Sequence, residues 1–228
     1  MKQSLPKRVH LALRARLFDG SLPPGARLDY KQLARELGVS VTPIREAVAQ
    51  LASEGFIELI PRLGAIVRKL NRTSALEFYE VREAVETFAA LKAAERHSPM
   101  HLEQLRRHLA VMQRISDNAP SCKTTALEKT GLLSFLESDI AFHRTILLGS
   151  RNSALARTVV ESQVQLQIFY AARGAHDGSR VALVCEQHQT ILTAVEKRDG
   201  PAAAEAMRLH IRASLDFTLD HLESALDD

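Results

Sequence analysis

Four side chains in the C-terminal part of the chain could together bind a divalent metal ion. Asp139 and His143 are four residues apart, so a helix would bring both side chains to one face. His188 and His210 each share the helical phase of apolar neighbours, which predicts that both face a protein interior. One carboxylate oxygen and three imidazoles suit a borderline cation, with zinc first and nickel, manganese or iron as alternatives.

The alternative is a packing role for the same residues. A buried histidine can satisfy its polar atoms by hydrogen bonds within a core, and the chain contains nine histidines. Spacing alone leaves both interpretations open. The two cysteines, Cys122 and Cys185, match no metal-binding spacing. The remaining histidines are predicted to be surface or packing residues: His10, His97, His101, His108, His176 and His221.

A charged residue also lies on a stripe that should face inward. Arg82 shares helical phase with Phe78 and Val85, and a buried unpaired charge is costly. It therefore needs an anion. That anion is either an internal carboxylate, such as Glu86 or Asp139, or a bound acidic ligand.

The elements that must position these residues all read as helices. Apolar residues recur at helical spacing from Ser74 onward, interrupted by turn residues, with no strand pattern and no internal repeat. Thr73 or Ser74 is the predicted cap of the first helix. An antiparallel bundle of six helices is expected. The predicted segments are 74–97, 99–117, 126–149, 152–173, 179–198 and 201–225.

The N-terminal part has a different pattern. Residues 30–37 and a second segment ending at Gly55 read as two helices, joined by the tight turn Gly38-Val39-Ser40. Residues 56–60 and 65–68 then read as a β-hairpin. This order of elements predicts a winged helix-turn-helix, and hence a mostly α fold class: a winged helix-turn-helix followed by an all-α antiparallel bundle.

Particular residues in this stretch resemble the GntR family of bacterial transcription regulators. They are Pro23-Pro24-Gly25, Leu33-Ala34, Gly38-Val39-Ser40, Thr42-Pro43-Ile44-Arg45-Glu46-Ala47, Leu51, Glu54-Gly55 and Gly64-Ala65-x-Val67. The chain departs from many members at Val41, where they have an arginine. The resemblance covers about the first third of the chain.

The outer face of the second helix suits double-stranded DNA. Thr42 and Arg45 are expected to reach base edges or phosphates in the major groove, and the wing to reach the backbone or minor groove. The alternative is a helical hairpin that packs on the rest of the protein and leaves Arg45 merely solvated. A homodimer would match a pseudo-palindromic operator. The predicted DNA-binding residues are Lys31, Ser40, Thr42, Arg45, Arg62 and Gly64.

The charge distribution separates two parts of the chain. Through Arg72 there are 13 Lys and Arg against 6 Asp and Glu, a net charge of +7, whereas the remainder carries −4. Residues 1–72 are therefore predicted to be the DNA-binding domain, and the resemblance to GntR regulators implies that 73–228 is the effector-binding and dimerisation domain. In the first, residues 4–19 form a predicted helix with one apolar face: Leu5, Val9, Leu13 and Leu17.

The helical part resembles the FCD effector domain of the FadR branch of GntR regulators, and six helices are closer to its VanR-like group. The resemblance implies a metal held by an Asp and a His one turn apart and by one His from each of two later helices. Asp139, His143, His188 and His210 match that pattern. It also implies a small organic acid effector beside the metal, with Arg82 at the matching position.

Two functions follow as candidates. The favoured one is a ligand-responsive, DNA-binding transcriptional regulator whose helical domain binds a divalent metal and a small carboxylate, and which is not an enzyme. The alternative is a metal-dependent hydrolase or decarboxylase fused to a DNA-binding domain, although no His-Glu-x-x-His signature occurs. No signal peptide or membrane span is expected, so a cytoplasmic location is predicted.

Overall fold

The computed structural model describes residues 4–119, 127–158 and 176–223. Contacts among these residues separate two compact units, one ending at Leu70 and the other beginning at Asn71. Both units are mainly helical. Within the described ranges, no helix is long and apolar enough to cross a membrane.

The first unit consists of helices and one hairpin. Its elements are α1 (Leu5–Phe18), α2 (Tyr30–Leu37), α3 (Val41–Ser53), β1 (Ile57–Ile60) and β2 (Gly64–Val67). Helix α1 packs on α3, and the apolar side chains that face each other are fully buried, among them Leu13, Leu17, Ile44, Val48 and Leu51. Leu5 was predicted on the same inward face, but it is 45% exposed, because it lies in the first turn at the end of the helix.

The turn between α2 and α3 is made by local signals. The Asp29 carboxylate accepts hydrogen bonds from the backbone of Lys31 and Gln32 and so caps α2. Gly38 ends α2 in the left-handed conformation, with φ of 65°, which a residue without Cβ adopts at little cost. Ser40 is the N-cap of α3, although its side chain makes no capping hydrogen bond.

The hairpin is the wing. β1 and β2 pair antiparallel, with Ile57 opposite Val67 and Ile60 opposite Gly64. A third segment extends the pairing, since the N–H of Leu28 donates to the carbonyl of Ala65 at 2.8 Å. These backbone bonds attach the wing to the loop that precedes α2.

The second unit contains only helices in its described part. They are α4 (Arg72–Arg96), α5 (Pro99–Asp117), α6 (Lys129–Gly149), α7 (Ser153–Thr158), α8 (Gly178–Glu196) and α9 (Gly200–Glu223). The predicted segments match these helices to within a few residues at each end. Residues 159–173 of the predicted segment 152–173 lie outside the described residues.

The cap of α4 corrects the prediction. The helix begins at Arg72, and its N-cap is Asn71 rather than Thr73 or Ser74. The Asn71 side chain accepts from the backbone of Ser74, while the Ser74 hydroxyl oxygen accepts from the backbone of Asn71. This reciprocal pair satisfies two backbone donors at once, which favours an earlier start for the helix.

Helix α4 is central to the second unit. It packs against α9, α6 and α8. Its buried face includes several alanines, among them Ala89, Ala90, Ala93 and Ala94, and such short side chains let neighbouring helices approach closely. The same face carries two buried charged residues, Arg82 and Glu86. Side chains from α4, α6, α8 and α9 therefore converge in one interior.

Candidate metal centre

Three helices bring the four predicted ligands together. Asp139 and His143 come from α6, His188 from α8 and His210 from α9. Each offers one ligand atom, and these atoms all lie within 4.8 Å of one another. The three histidines are buried, and the Asp139 side chain is 25% exposed.

Each imidazole has its Nδ1 against a protein oxygen. Because a carbonyl or an ionised carboxylate can only accept, Nδ1 carries the hydrogen and Nε2 presents a lone pair. The tautomer is thus assigned from the partner oxygen. The Nδ1–oxygen distances are 2.8 Å for His188 to the Val184 carbonyl, 2.8 Å for His210 to Gln187 Oε1 and 2.6 Å for His143 to Glu86 Oε2.

The four ligand atoms are mutually repulsive without a cation. Nε2 of His143 lies 3.2 Å from Nε2 of His210, and Nε2 of His188 lies 3.2 Å from Asp139 Oδ1. In the assigned tautomers these are contacts between acceptors, and Nε2 of His188 makes no hydrogen bond. A proton on one nitrogen would relieve a single contact, whereas a divalent cation would satisfy all four atoms.

The charge states agree with such a cation. Burial, and then the neighbouring His188 and His143, hold the pKa of His210 well below its usual value, which favours the neutral, ligating form. Burial alone would raise the pKa of Asp139, but the adjacent His188 and the electrostatic effect of the three histidines lower it, which favours the ionised carboxylate. The residues present therefore fit a divalent metal.

A carboxylate on α4 supports one of these ligands from behind. Glu86 Oε2 contacts His143 Nδ1, although the N–H bond is poorly aligned on the oxygen. Glu86 Oε1 accepts from Nε of Arg82 at 2.7 Å. Burial disfavours the ionised carboxylate, but Arg82 and then His143 lower the pKa of Glu86 to about 2. A carboxylate behind a histidine is a common outer-shell arrangement in metal sites.

Two partners were expected for Arg82, either an internal carboxylate or a bound acidic ligand. The internal carboxylate is present, because Glu86 lies four residues further on the same inward face. Its contact with His143 was not predicted from the sequence. The only available signal was an acidic residue one turn from an inward arginine, and that signal does not identify a partner on another helix.

The other predicted site residues lie in the first unit. Thr42 and Arg45 are exposed on α3, opposite the buried Ile44 and Val48. The remaining DNA-binding candidates are also exposed: Lys31 in the first turn of α2, Ser40 at the N-cap of α3, and Arg62 and Gly64 at the tip of the wing.

Several remaining histidines have packing roles, as predicted. His10 pairs with Glu54 at 2.9 Å, and His101 closes a capping box with Ser98 at the start of α5. Cys185 is buried as a free thiol, and burial, followed by the charge of Asp139, raises its pKa to about 11. Cys122 lies outside the described residues.

A winged helix-turn-helix followed by an all-helical unit is the architecture of a class of DNA-binding regulators. Residues 5–67 match the bacterial regulatory proteins of the gntR family, and residues 77–213 match the FCD domain. The chain belongs to the GntR family and carries an FCD domain. The family and the fold class predicted from the sequence are confirmed.

Relatives agree over most of the chain. It is 32% identical over 209 residues to an uncharacterised HTH-type transcriptional regulator of Streptomyces ambofaciens, covering 91% of this chain and 82% of that protein. It is 28% identical over 210 residues to the Escherichia coli transcriptional repressor RspR, covering 92% and 87%. The solved structure of E. coli McbR/YncC has the same fold, with a TM-score of 0.74, 21% identity and coverage of 96% and 99%.

The comparisons decide between the two function classes. The family and its named relatives are transcriptional regulators rather than enzymes. The chain is therefore a DNA-binding transcriptional regulator, and the alternative of a hydrolase or decarboxylase is set aside.

A first prediction concerns the carboxylate behind His143. Glu86→Gln replaces an anionic acceptor by a neutral amide, so metal affinity should fall by about 10- to 100-fold. The measurement is competition with a fluorescent chelator, and circular dichroism checks that the variant keeps its helices. Glu83→Gln, in the same helix but paired with Arg212, is the matched control. Equal losses in both variants would contradict a role for Glu86 in supporting the metal.

Proposed function

We propose that this regulator binds a divalent metal ion through Asp139, His143, His188 and His210, and that the metal helps to hold a small carboxylate effector. The observation that carries the proposal is the convergence of three Nε2 lone pairs and one carboxylate within 4.8 Å in a buried site. Zinc is the first candidate, because imidazole nitrogen and carboxylate oxygen are ordinary zinc ligands and zinc can expand to five-coordinate, which leaves a position for the effector. Nickel, manganese and iron remain alternatives.

The site's charge supports an anionic effector. Three neutral imidazoles and one carboxylate leave a divalent ion with net positive charge, and a metal with open positions attracts an anion. Arg82 is buried beside the cluster, because its partner Glu86 also contacts the ligand candidate His143. Burial opposes the charge of Arg82, but Glu86 and, more weakly, Asp139 raise its pKa. Glu86 takes the Nε donor of Arg82, and we assign the terminal nitrogens to the effector carboxylate.

Metal content tests the first part of the proposal. Purified protein should carry about one divalent ion per chain, and Asp139→Ala or His188→Ala should remove most of it. Chelation should lower the melting temperature, because a metal bound only by the native state stabilises that state. His108→Ala is the control. Elemental analysis that finds no metal after reconstitution would reduce the cluster to core packing.

For the first unit, we propose that α3 enters the major groove of double-stranded DNA. Arg45 and Thr42 would contact bases or phosphates near the start of the helix, and Arg62 with Gly64 would bring the wing to the backbone or minor groove. Lys31 and Ser40 lie at the N-terminal ends of α2 and α3, where helix ends favour phosphate. The protein would act in the bacterial cytoplasm, where its operator lies.

Operator binding tests the assignment of α3. Losing a bidentate arginine–guanine contact costs about 1–3 kcal/mol, so Arg45→Ala should weaken binding about 5- to 150-fold. Because Arg45 is exposed, the melting temperature should stay unchanged. A gel-shift titration measures the effect, with the exposed Arg144→Ala of α6 as control. Unchanged affinity of Arg45→Ala would show that this helix is not the recognition helix.

We further propose a homodimer that matches a pseudo-palindromic operator. Support comes from an apolar stripe on the exposed side of α4, where Val81 is 39% and Phe88 47% exposed. Leu209 on the neighbouring α9 is 53% exposed. Such a stripe on a protein surface marks a candidate interaction site.

The charges beside this stripe suit a second copy of the chain. A groove of about 600 Å³ carries Glu80 and Glu83 on its α4 side and Arg208 and Arg212 on its α9 side. Glu83 and Arg212 already pair within one copy, so a two-fold axis across the groove would bring this ion pair and the apolar stripe of one copy against those of the other. Such a patch is self-complementary, as a two-fold interface requires.

The dimer is tested by one substitution on the stripe. Phe88→Glu places a charge in the proposed interface and should shift the protein to monomer, because a desolvated unpaired charge is costly. Sedimentation velocity measures the change. Met100→Glu, which replaces a 65% exposed residue on α5, is the control and should leave the dimer intact. A Phe88→Glu protein that remains dimeric would contradict this interface.

A further inference from the structure

A second guanidinium lies in the layer next to the candidate metal centre. Ser214 follows His210 by one helical turn on α9, and both side chains are buried. Arg180 of α8 donates from Nη2 to Ser214 Oγ at 3.2 Å. Its guanidinium carbon lies 4.2 Å from the centre of the Phe217 ring. Because Ser214 is one turn after His210, these contacts place the Arg180 guanidinium about 6 Å further along α9 than His210.

The charge of Arg180 is not met by a carboxylate within the described part of the chain. Its Nε is buried and makes no hydrogen bond. Asp177 accepts from the backbone N–H of Arg180 and caps α8, rather than pairing with the guanidinium. Arg82 differs, because Glu86 meets its charge directly. A partly buried, unneutralised cation favours an anion in its vicinity.

His176 packs on the same Phe217 ring as Arg180 and is uncharged. Burial, and then the charge of Arg180, lower the pKa of His176 to about 3, so its ring is neutral at physiological pH. The carboxylate of Asp139 acts on the same ring in the opposite direction. The ring of His176 therefore lies within electrostatic reach of both the metal-ligand candidate Asp139 and the cation Arg180.

We infer that Arg180, together with Ser214, binds a second carboxylate of the effector, which is then a short dicarboxylate. This inference rests on the proposed metal–effector site. One carboxylate of the ligand lies at the metal and Arg82, and the other at Arg180 and the Ser214 hydroxyl. A planar guanidinium fork matches a carboxylate in bidentate geometry. The separation of the two anchors selects for ligand length as well as charge.

The test compares matched acids on zinc-reconstituted full-length protein by calorimetry. The pairs are succinate with butyrate, glutarate with valerate, and adipate with hexanoate, so that each pair differs by one terminal carboxylate. At least one dicarboxylate should bind about 10-fold more tightly than its partner, the scale of one charge-assisted contact. Because dicarboxylates also chelate metals, retained zinc is measured by elemental analysis after each titration.

Variants test whether Arg180 causes the preference for the dicarboxylate over its monocarboxylate partner. Arg180→Gln should reduce the preferred dicarboxylate to the affinity of its monocarboxylate partner, while zinc content and monocarboxylate affinity stay unchanged. Arg180→Lys keeps the charge without the fork and should restore part of the preference. Arg107→Gln, at an exposed position on α5, is the matched control and should behave like wild type.

The two proposals fail in distinguishable ways. If wild type binds monocarboxylates but no dicarboxylate more tightly, Arg180 does not take a second carboxylate. If Arg180→Gln weakens the binding of both acids of a pair equally, the same conclusion follows. In either case the metal–effector site stands. Zinc-loaded protein that binds none of the six acids would overturn both the effector proposal and this inference.

Discussion

The helical unit depends on one constraint, which is that four hydrogen-bond acceptors meet in its interior. His188 and His210 donate from Nδ1 to a protein oxygen, and His143 Nδ1 lies against Glu86, so the three Nε2 lone pairs face one another and the Asp139 carboxylate. Such a cluster is unfavourable without a cation, because buried polar groups need partners. The candidate ligands lie on α6, α8 and α9, and Glu86 of α4 contacts one of them, His143. In the proposed function, metal occupancy and the packing of these four helices would therefore be one linked equilibrium.

Two arginines lie near this centre, and they differ in whether a carboxylate neutralises their charge. Arg82 is neutralised by Glu86, and Glu86 contacts the metal-ligand candidate His143. Arg180 contacts Ser214, one helical turn after His210, and no carboxylate among the described residues neutralises its charge. In the proposed regulation, an effector that bridges these groups would tighten α4 against α6, α8 and α9. Because α4 follows the winged unit in sequence, a shift of α4 would be passed on to the DNA-binding unit. A coupling free energy of about 1–3 kcal/mol would change operator affinity roughly 5- to 150-fold.

Local features were predictable from the sequence, and tertiary partners were not. The helix Tyr30–Leu37 and the turn at Gly38 agree with the structure because their signals lie within a few residues. Asp139 and His143 could be placed on one face by spacing alone. Glu86 behind His143 could not, since the contact joins two helices that are far apart in sequence. Asn71 was missed because its capping role depends on the reciprocal bond with Ser74.

The central claim is that three imidazoles and one carboxylate form a metal-binding site. Zinc K-edge X-ray absorption spectroscopy of the reconstituted protein tests it directly. Zinc bound by these four residues should show nitrogen and oxygen ligands at about 2.0–2.2 Å, with multiple scattering from three imidazole rings. A sulfur ligand at about 2.3 Å, or an oxygen shell without imidazole scattering, would contradict it.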